Sequence, residues 1–288
     1  MIIYKDDDHT YKNSYGDMYT SVTTVIKEFV PVVDWVKMSE VYLKKRTNAQ
    51  VVLDLATKWG LSTDDIITKF GDTFTPEKLR GIWKAAGTRA TTGGSNWHNW
   101  KEIQDAKMPN TVLIPMYDGI KSFNPESMKP NTTYLEPILR DHASRLAGQA
   151  DKTILKEISS KVRDYKTVNK DLVPDVKAYY KPQLRKKVAP TFKSPLKHLK
   201  HSSYWEYAVQ LSLYGVMLSD IGFPPEELII DQVKTEWVKE EDVTNHFVID
   251  TDEEINKVRI VTEVIPIELP FLEEEARTIL KYKRSQLI

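Results

Sequence analysis

The sequence predicts a mixed α/β fold in which helices flank a central β-sheet and an N-terminal helical region precedes it. Residues 20–90 carry mostly helix-type patterns, whereas β-branched residues at strand spacing concentrate at 145–168 and 228–267. A chain of 288 residues with 41% hydrophobic residues can bury a large core, so we expect one elaborated domain in three parts. These parts are a hairpin and helical region (1–92), a core (93–218), and C-terminal strands with a closing helix (219–288).

The N-terminal part is predicted to begin with a β-hairpin and to continue as helices. Strands at 2–4 and 18–20 are expected to pair across a polar turn. Thr20 or Ser21 is expected to cap the first helix, and Pro31 stops it, because proline cannot continue a helix.

Further helices are predicted at 35–60, 64–69 and 76–90. The pair Gly93–Gly94 predicts a break in the chain before a separate helix that carries His98. We expect this helical region to form one wall of a channel beside the core.

The segment that follows predicts an antiparallel hairpin, with strands at 145–154 and 161–168. In this pairing Asp151 faces Asp164, and directly opposed residues have Cβ atoms about 4.5–5.5 Å apart. The period of two along a strand also places Asp164 and Lys166 on one face. The sequence therefore predicts two carboxylates and an amine in one patch.

This patch indicates metal-dependent hydrolysis of a phosphodiester. Two carboxylates at such a distance resist joint ionisation unless they share a proton or a cation. Mg²⁺ and Mn²⁺ prefer oxygen ligands and lower the pKa of a bound water. Lys166 would orient the attacking water or offset charge on the phosphate. For the tripeptide 164–166 by itself, a surface hairpin with scattered charges is the alternative.

The C-terminal third is predicted to contain a helix, two strands and a closing helix. Gln210 and Tyr214 are four residues apart on an apolar helical pattern, so their side chains leave the same helix face. Strands follow at 228–237 and 258–267, with acidic turns between them, and the last helix spans 271–284.

The net charge is zero, but the charges are distributed unevenly. Residues 152–200 contain 14 Lys and Arg against 4 Asp and Glu, whereas residues 201–288 contain 8 against 18. In the segment 177–201, Tyr179 and Tyr180 are mixed with basic residues. Basic groups can follow a phosphate backbone while aromatic rings stack on unpaired bases, which predicts a DNA-contacting segment. A solvated loop is the alternative.

Four motifs in order resemble the RecB-like exonuclease branch of the PD-(D/E)XK nuclease superfamily, as in phage-type stand-alone nucleases. They are GxxxH at 94–98, GxxD at 148–151, (D/E)xK at 164–166 and QxxxY at 210–214. The resemblance covers about residues 21–218. It implies a restriction-endonuclease-like fold, a mixed central sheet flanked by helices, and a Mg²⁺- or Mn²⁺-dependent deoxyribonuclease that acts on DNA ends or single strands in recombination, repair or replication.

The resemblance also implies roles for individual residues. The expected metal ligands are His98, Asp151, Asp164 and the backbone carbonyl of Tyr165, with Glu136 at an acidic position whose role varies in the family. The expected catalytic residues are Lys166, Asp164, Asp151 and His98. The expected DNA contacts are Gln210, Tyr214, Lys170, Arg185, Lys186, Lys187 and Lys197.

Other chemistries lack their sequence signals. The chain has no cysteine, which excludes disulfides, thiolate-bound zinc and a cysteine-held iron–sulfur cluster. It has no GxxxxGK[ST] loop, so we expect no ATP binding, and any unwinding would come from a partner. We expect DNA as a partner, together with a recombinase, helicase or single-strand-binding protein. The alternatives are an endonuclease of restriction or defence type and a non-catalytic DNA-binding module.

No apolar run approaches the about 18 residues that span a bilayer, and the N-terminus lacks the pattern of a signal peptide. We therefore expect a cytoplasmic protein without membrane contact, in the host cytoplasm if a phage encodes it.

Overall fold

A computed structural model describes residues 1–6, 9–176, 178–181, 186–244 and 246–287. Within these residues the chain forms two seven-stranded mixed β-sheets with helices packed against them. The mixed α/β class predicted from the sequence is therefore confirmed. No helix within the described ranges is both long and apolar enough to cross a membrane.

The strands are numbered in chain order, and most are short. They are β1 (Ile2–Lys5), β2 (Thr10–Asn13), β3 (Met18–Ser21), β4 (Thr111–Leu113), β5 (Met116–Tyr117), β6 (Ile120–Phe123), β7 (Thr132–Leu135), β8 (Ile138–Asp141), β9 (Leu146–Gln149), β10 (Lys152–Leu155), β11 (Ser160–Thr167), β12 (Tyr179–Lys181), β13 (Lys186–Val188), β14 (Pro225–Lys239), β15 (Val248–Asp252) and β16 (Lys257–Leu269). The helices are α1 (Val22–Phe29), α2 (Trp35–Lys44), α3 (Asn48–Trp59), α4 (Thr63–Phe70), α5 (Pro76–Asp105), α6 (Ser203–Ser219) and α7 (Glu273–Ser285).

The first sheet has the order β5-β6-β1-β2-β3-β9-β8, and the second has the order β15-β16-β14-β11-β10-β7-β4. The pairs β3–β9, β4–β7 and β11–β14 are parallel. The pairing predicted between the strands at 2–4 and 18–20 is wrong, because β2 lies between β1 and β3 and pairs with both. Tyr11 on β2 is buried, and this burial gives the missed strand its place in the sheet.

The two sheets are joined at a corner where two neighbouring strands bend. The antiparallel register is the same on both sides of the bend, since Leu135 lies opposite Lys152 and Ile138 opposite Gln149. Within the bend, the Glu136 N–H donates to the carbonyl of residue 151 over 2.9 Å. The single strand predicted at 145–154 is therefore divided into β9 in the first sheet and β10 in the second.

Capping residues determine where the N-terminal helices begin and end. Ser21 caps α1 as predicted, and its hydroxyl accepts from the Thr24 N–H. The long helix predicted at 35–60 is divided into α2 and α3, because Thr47 starts α3 with a capping box. Gly60, at φ +67°, ends α3 in the left-handed conformation that glycine adopts without a steric penalty.

The helix break predicted at Gly93–Gly94 is wrong. α5 is one helix of 30 residues, and the boundary drawn between residues 92 and 93 lies inside it. A Cβ on Gly93 would lie 3.3 Å from Ile249 Cδ1, and one on Gly94 would lie 3.6 Å from Thr167 Oγ1. The glycines thus let α5 pack closely on β15 and β11, and this packing outweighs a helix propensity that is lower by about 1 kcal/mol each.

α6 lies at the centre of the main core. All of residues 208–218 are buried, as expected for a helix that is apolar on every side. It packs against β8, β11, β14, α1 and α7. α6 therefore supports, from within the core, the strands that meet at the bend.

The C-terminal strands and closing helix are confirmed, but one strand was missed. β14 and β16 extend beyond the predicted 228–237 and 258–267, and α7 corresponds to the helix predicted at 271–284. β15 occupies part of an acidic segment that was predicted to be a turn. Its Ile249 is buried against Trp97 and Val233, which explains why this acidic segment is extended.

Candidate active site

The two predicted carboxylates meet at the open end of the β10–β11 hairpin. Lys152 lies opposite Arg163 in this pair, so the same register continued by one residue sets Asp151 opposite Asp164. Asp164 is 1% exposed, and Asp151 Oδ2 accepts a hydrogen bond of 2.7 Å from the Tyr165 N–H. The facing of Asp151 and Asp164 agrees with the prediction from strand spacing.

Asp151 owes its position to the bend between β9 and β10. A Cβ on Gly148 would lie only 2.8 Å from Tyr214 Cε1 and 3.0 Å from Val22 Cγ2. The Tyr214 hydroxyl donates to the Gln149 carbonyl over 3.0 Å. The glycine of the GxxD motif thus admits the tyrosine of the QxxxY motif, and together they hold the bend that carries Asp151.

His98 reaches the carboxylates from α5. Its Nε2 lies 3.3 Å from Asp151 Oδ1, and its Nδ1 lies 3.5 Å from Glu136 Oε1. The histidine therefore links the residues at both sides of the strand bend. The structure brings together His98, Asp151 and Glu136 as the sequence analysis expected.

Lys166 and Asp164 extend from the same face of β11 and form an ion pair. Tyr165 between them points to the opposite face, toward α5, where its hydroxyl bonds Asp105. The Lys166 ammonium also lies 5.5 Å from the centre of the Tyr207 ring on α6. Tyr207 is a neighbour of the site that the sequence analysis missed.

A second lysine, Lys121 on β6, was also missed. It is buried and forms an ion pair with Glu136. Glu136 has φ +53°, although it is not a glycine and precedes Pro137, and a conformation of this kind costs about 1–3 kcal/mol. Such strain is often retained at functional sites, so it supports a role for Glu136 beyond packing.

The charges of the site shift several pKa values in opposite directions. Burial raises the pKa of Asp164, and the neighbouring Asp151 carboxylate raises it further, to about 7. Burial also acts to raise the pKa of Asp151, but His98 and Lys166 outweigh it and hold that pKa well below its usual range. Burial and the Asp151 carboxylate therefore both disfavour the charged form of Asp164.

The two cationic groups respond to the same carboxylates. Burial lowers the pKa of His98, but Asp151 and Glu136 outweigh it and raise the pKa to about 9. For Lys166, Asp164 and Asp151 likewise outweigh burial, so its pKa lies above the usual range and its amine is charged. A charged amine favours neutralisation of phosphate charge over proton abstraction.

The donor set suits a hard divalent cation, although the side chains do not form a closed metal cage. Within the described ranges, no group of three or more histidine and acidic side chains is arranged to hold a metal ion. Asp164 Oδ2 is buried, and its partner is the Lys166 amine, with which it forms the ion pair. The facing carboxylates of Asp151 and Asp164 supply the oxygen donors that Mg²⁺ or Mn²⁺ prefers, and His98 Nε2 lies 3.3 Å from Asp151 Oδ1.

An open cleft of about 770 Å³ gives access to one side of the site, whereas Asp164 and Lys166 are not among its lining residues. His98, Glu136 and Asp151 line it together with Lys121 and Tyr11 from the first sheet. The candidate site is therefore formed between the two sheets and α5.

Asp105, the last residue of α5, holds this helix to the β10–β11 hairpin on the face of β11 that carries Tyr165. Asp105 accepts hydrogen bonds from Lys101 (2.6 Å), Lys152 (2.9 Å) and the Tyr165 hydroxyl (2.9 Å). Burial raises the pKa of Asp105, but the bonds from Lys101 and Lys152 outweigh it and lower the pKa below its usual value. The network fixes the helix that carries His98 relative to the strand that carries Asp164.

We expect Asp105→Ala to lower the free energy of unfolding by about 3 kcal/mol, because it leaves Lys152 and the Tyr165 hydroxyl without their acidic partner. Urea denaturation monitored by circular dichroism measures this loss. Tyr165→Phe is the matched control, since it removes one bond of the network and should cost about 1 kcal/mol. Equal losses in the two variants would contradict a network centred on Asp105.

The predicted DNA contacts fall into three groups. Gln210 is 7% exposed and Tyr214 is 2% exposed, so both side chains lie mainly in the core beside the site. Lys170 and Lys197 are exposed and accessible. Lys186 and Lys187 lie on β13, which pairs with β12, and Arg185 lies outside the described residues.

A scan against models of protein families found no match, and no curated protein matched the chain.

Proposed function

We propose that the protein is a Mg²⁺- or Mn²⁺-dependent deoxyribonuclease on the restriction-endonuclease-like fold of the PD-(D/E)XK superfamily. The observation that carries this proposal is the placement of Asp151, Asp164 and Lys166 at one end of the β10–β11 hairpin. The four ordered motifs add to it. The GxxD glycine and the QxxxY tyrosine are in close contact, so these two motifs together hold the bend that carries Asp151.

Each residue of the site has a distinct task in this proposal. Asp151 and Asp164 hold the cation, and His98 and the Tyr165 carbonyl complete the set of ligands. The cation, when bound, supplies a water of lowered pKa and polarises the phosphate. Lys166 orients the attacking water and offsets the charge that develops on the phosphate. Lys121 restrains Glu136 and, through it, His98.

Cleavage from DNA ends or of single strands is the mode we propose, in recombination, repair or replication. The resemblance to the RecB-like branch supports the exonuclease mode. The complete Asp, Asp and Lys set supports catalysis over a non-catalytic DNA-binding role.

One assay tests this function. The protein is incubated with Mn²⁺ and end-labelled single strands, linear duplex or closed circular DNA, with EDTA as the control. We expect progressive shortening of the linear substrates and no attack on closed circles. Cleavage of closed circles would establish an endonuclease instead, and intact DNA in every reaction would refute the nuclease proposal.

A divalent cation should also stabilise the fold. At a concentration about 100 times its Kd, a bound cation contributes about 2.7 kcal/mol, which corresponds to a rise of about 4–5 °C in Tm for a chain of this length. Differential scanning fluorimetry with Mn²⁺ and with EDTA measures this rise. Asp164→Asn should remove most of it, whereas Glu274→Gln, an exposed acidic position on α7, should retain it. An equal rise in both variants would show that the cation binds elsewhere.

A further inference from the structure

A second, smaller pocket of about 200 Å³ lies beside the candidate active site. Its cationic and aromatic lining residues are Lys58, Trp59, Arg89, Trp237 and Arg259. This volume is below the range of about 300–1,000 Å³ for sites of drug-sized ligands, and it suits a single planar group. Two indoles and three cations form the kind of surface that unpaired nucleotides favour.

The pocket is built from the same two elements that carry the active-site residues. On α5, the lining residue Ala90 precedes His98 by eight residues, which is about 12 Å along a helix. On β11, the lining residue Thr167 directly follows Lys166 and is about 10 Å from Asp164 along the strand. Thr167 lies on the α5 side of β11 and Asp164 on the other side, so the pocket and the carboxylates are on opposite faces of this strand.

Lys58 is the cation most available for an anionic ligand. Within the described part of the chain, neither Lys58 nor Arg259 forms a salt bridge, but Arg259 lies opposite Asp250 in the β15–β16 pair and is attracted by its carboxylate. Arg259 Nε donates to Thr235 Oγ1 over 2.9 Å, which fixes the guanidinium. Lys58 is exposed at the end of α3.

The third cation has a structural role in shaping the pocket. Arg89 pairs with Asp250 and Asp252 on β15, and its Cζ lies 5.3 Å from the centre of the Trp237 ring. Trp237 also lies opposite Arg259 in the β14–β16 pair. The Arg89 guanidinium thus lies over the Trp237 ring, and Arg259 occupies the neighbouring position on β16.

We propose that this pocket binds one unpaired nucleotide of the substrate strand. The base contacts the indoles of Trp59 and Trp237, and the phosphate lies near Lys58 and Arg259. The proposal rests on the proposed nuclease function and deepens it by naming the substrate class. A base inside a duplex is paired and stacked, so the pocket selects single strands or frayed ends.

Binding measured without cleavage tests this pocket. Fluorescence anisotropy in EDTA compares a labelled oligothymidylate with a blunt duplex of equal length. Trp237→Ala should weaken single-strand binding about tenfold, and Trp237→Phe, which keeps an aromatic face, should weaken it less. Lys58→Ala should lower the slope of log K against log salt by about 0.7, as expected for one lost phosphate contact on a single strand.

Lys281→Ala is the matched control for Lys58→Ala, because Lys281 is also exposed but lies on α7, which does not line the pocket. If Trp237→Ala disturbs folding, Lys58→Ala still tests the pocket, because Lys58 is exposed and its substitution leaves the core intact. Wild-type single-strand affinity in Trp237→Ala together with an unchanged salt slope in Lys58→Ala would overturn the pocket while leaving the nuclease proposal intact. Failure of the wild-type protein to bind any DNA would remove both proposals.

Discussion

Lys166→Ala should reduce DNA cleavage at least about a hundredfold while the fold and DNA binding persist. The Lys166 amine forms an ion pair with the buried Asp164, and the nearby carboxylates keep it charged. Its removal takes away the ammonium beside Asp164 that would offset charge on the phosphate. Single-turnover cleavage of end-labelled DNA measures the loss, while circular dichroism and anisotropy follow folding and binding.

Two further variants separate the role of Lys166 from its charge. Lys166→Arg keeps the positive charge but replaces a compact amine with a planar guanidinium, so it should restore little activity. Lys170→Ala removes an exposed lysine four residues later and should weaken DNA binding without slowing the chemical step. A normal cleavage rate in Lys166→Ala would show that the catalytic role of Lys166 is wrong.

Gly148→Ala should both destabilise the protein and remove cleavage. The added methyl group would lie 2.8 Å from Tyr214 Cε1 and 2.9 Å from its hydroxyl, inside a packed core. Overpacking of this kind costs about 1–3 kcal/mol, and here it displaces the bend that positions Asp151. Urea denaturation measures the free energy of unfolding, and the cleavage assay measures the displacement of the site.

Gly87→Ala is the matched control for this substitution. Gly87 lies within α5, and no neighbouring atom would come within 4 Å of a Cβ added there, so alanine should stabilise the helix by about 0.5–1 kcal/mol. A Gly148→Ala protein that retains wild-type stability and activity would contradict the proposed contact between the two motifs.

The hairpin and its site were predictable because they depend on local spacing. Strand period two and an antiparallel register were sufficient to place Asp151 opposite Asp164 and Lys166 beside Asp164. The serine cap of α1 was equally local. The continuity of α5 through Gly93–Gly94 was not predictable, because it depends on the close approach of distant strands.

The roles of Lys121 and Asp105 at the site also depend on contacts with residues that are distant in sequence. In β6, Lys121 lies on the same buried face as Phe123. A lysine two residues from a buried phenylalanine in a strand was the one sequence feature that could have indicated a buried amine. Lys101, four residues before Asp105 on α5, is a local partner, but the partners Lys152 and Tyr165 come from strands that are distant in sequence. Tyr214 was predicted from its motif, but its burial against Gly148 became visible only in the fold.

Anomalous diffraction from a crystal soaked in Mn²⁺ tests the central claim most directly. The account predicts a manganese peak that contacts carboxylate oxygens of both Asp151 and Asp164, with Lys166 beside it. No peak between these residues, or a peak that persists in Asp164→Asn crystals, would contradict it.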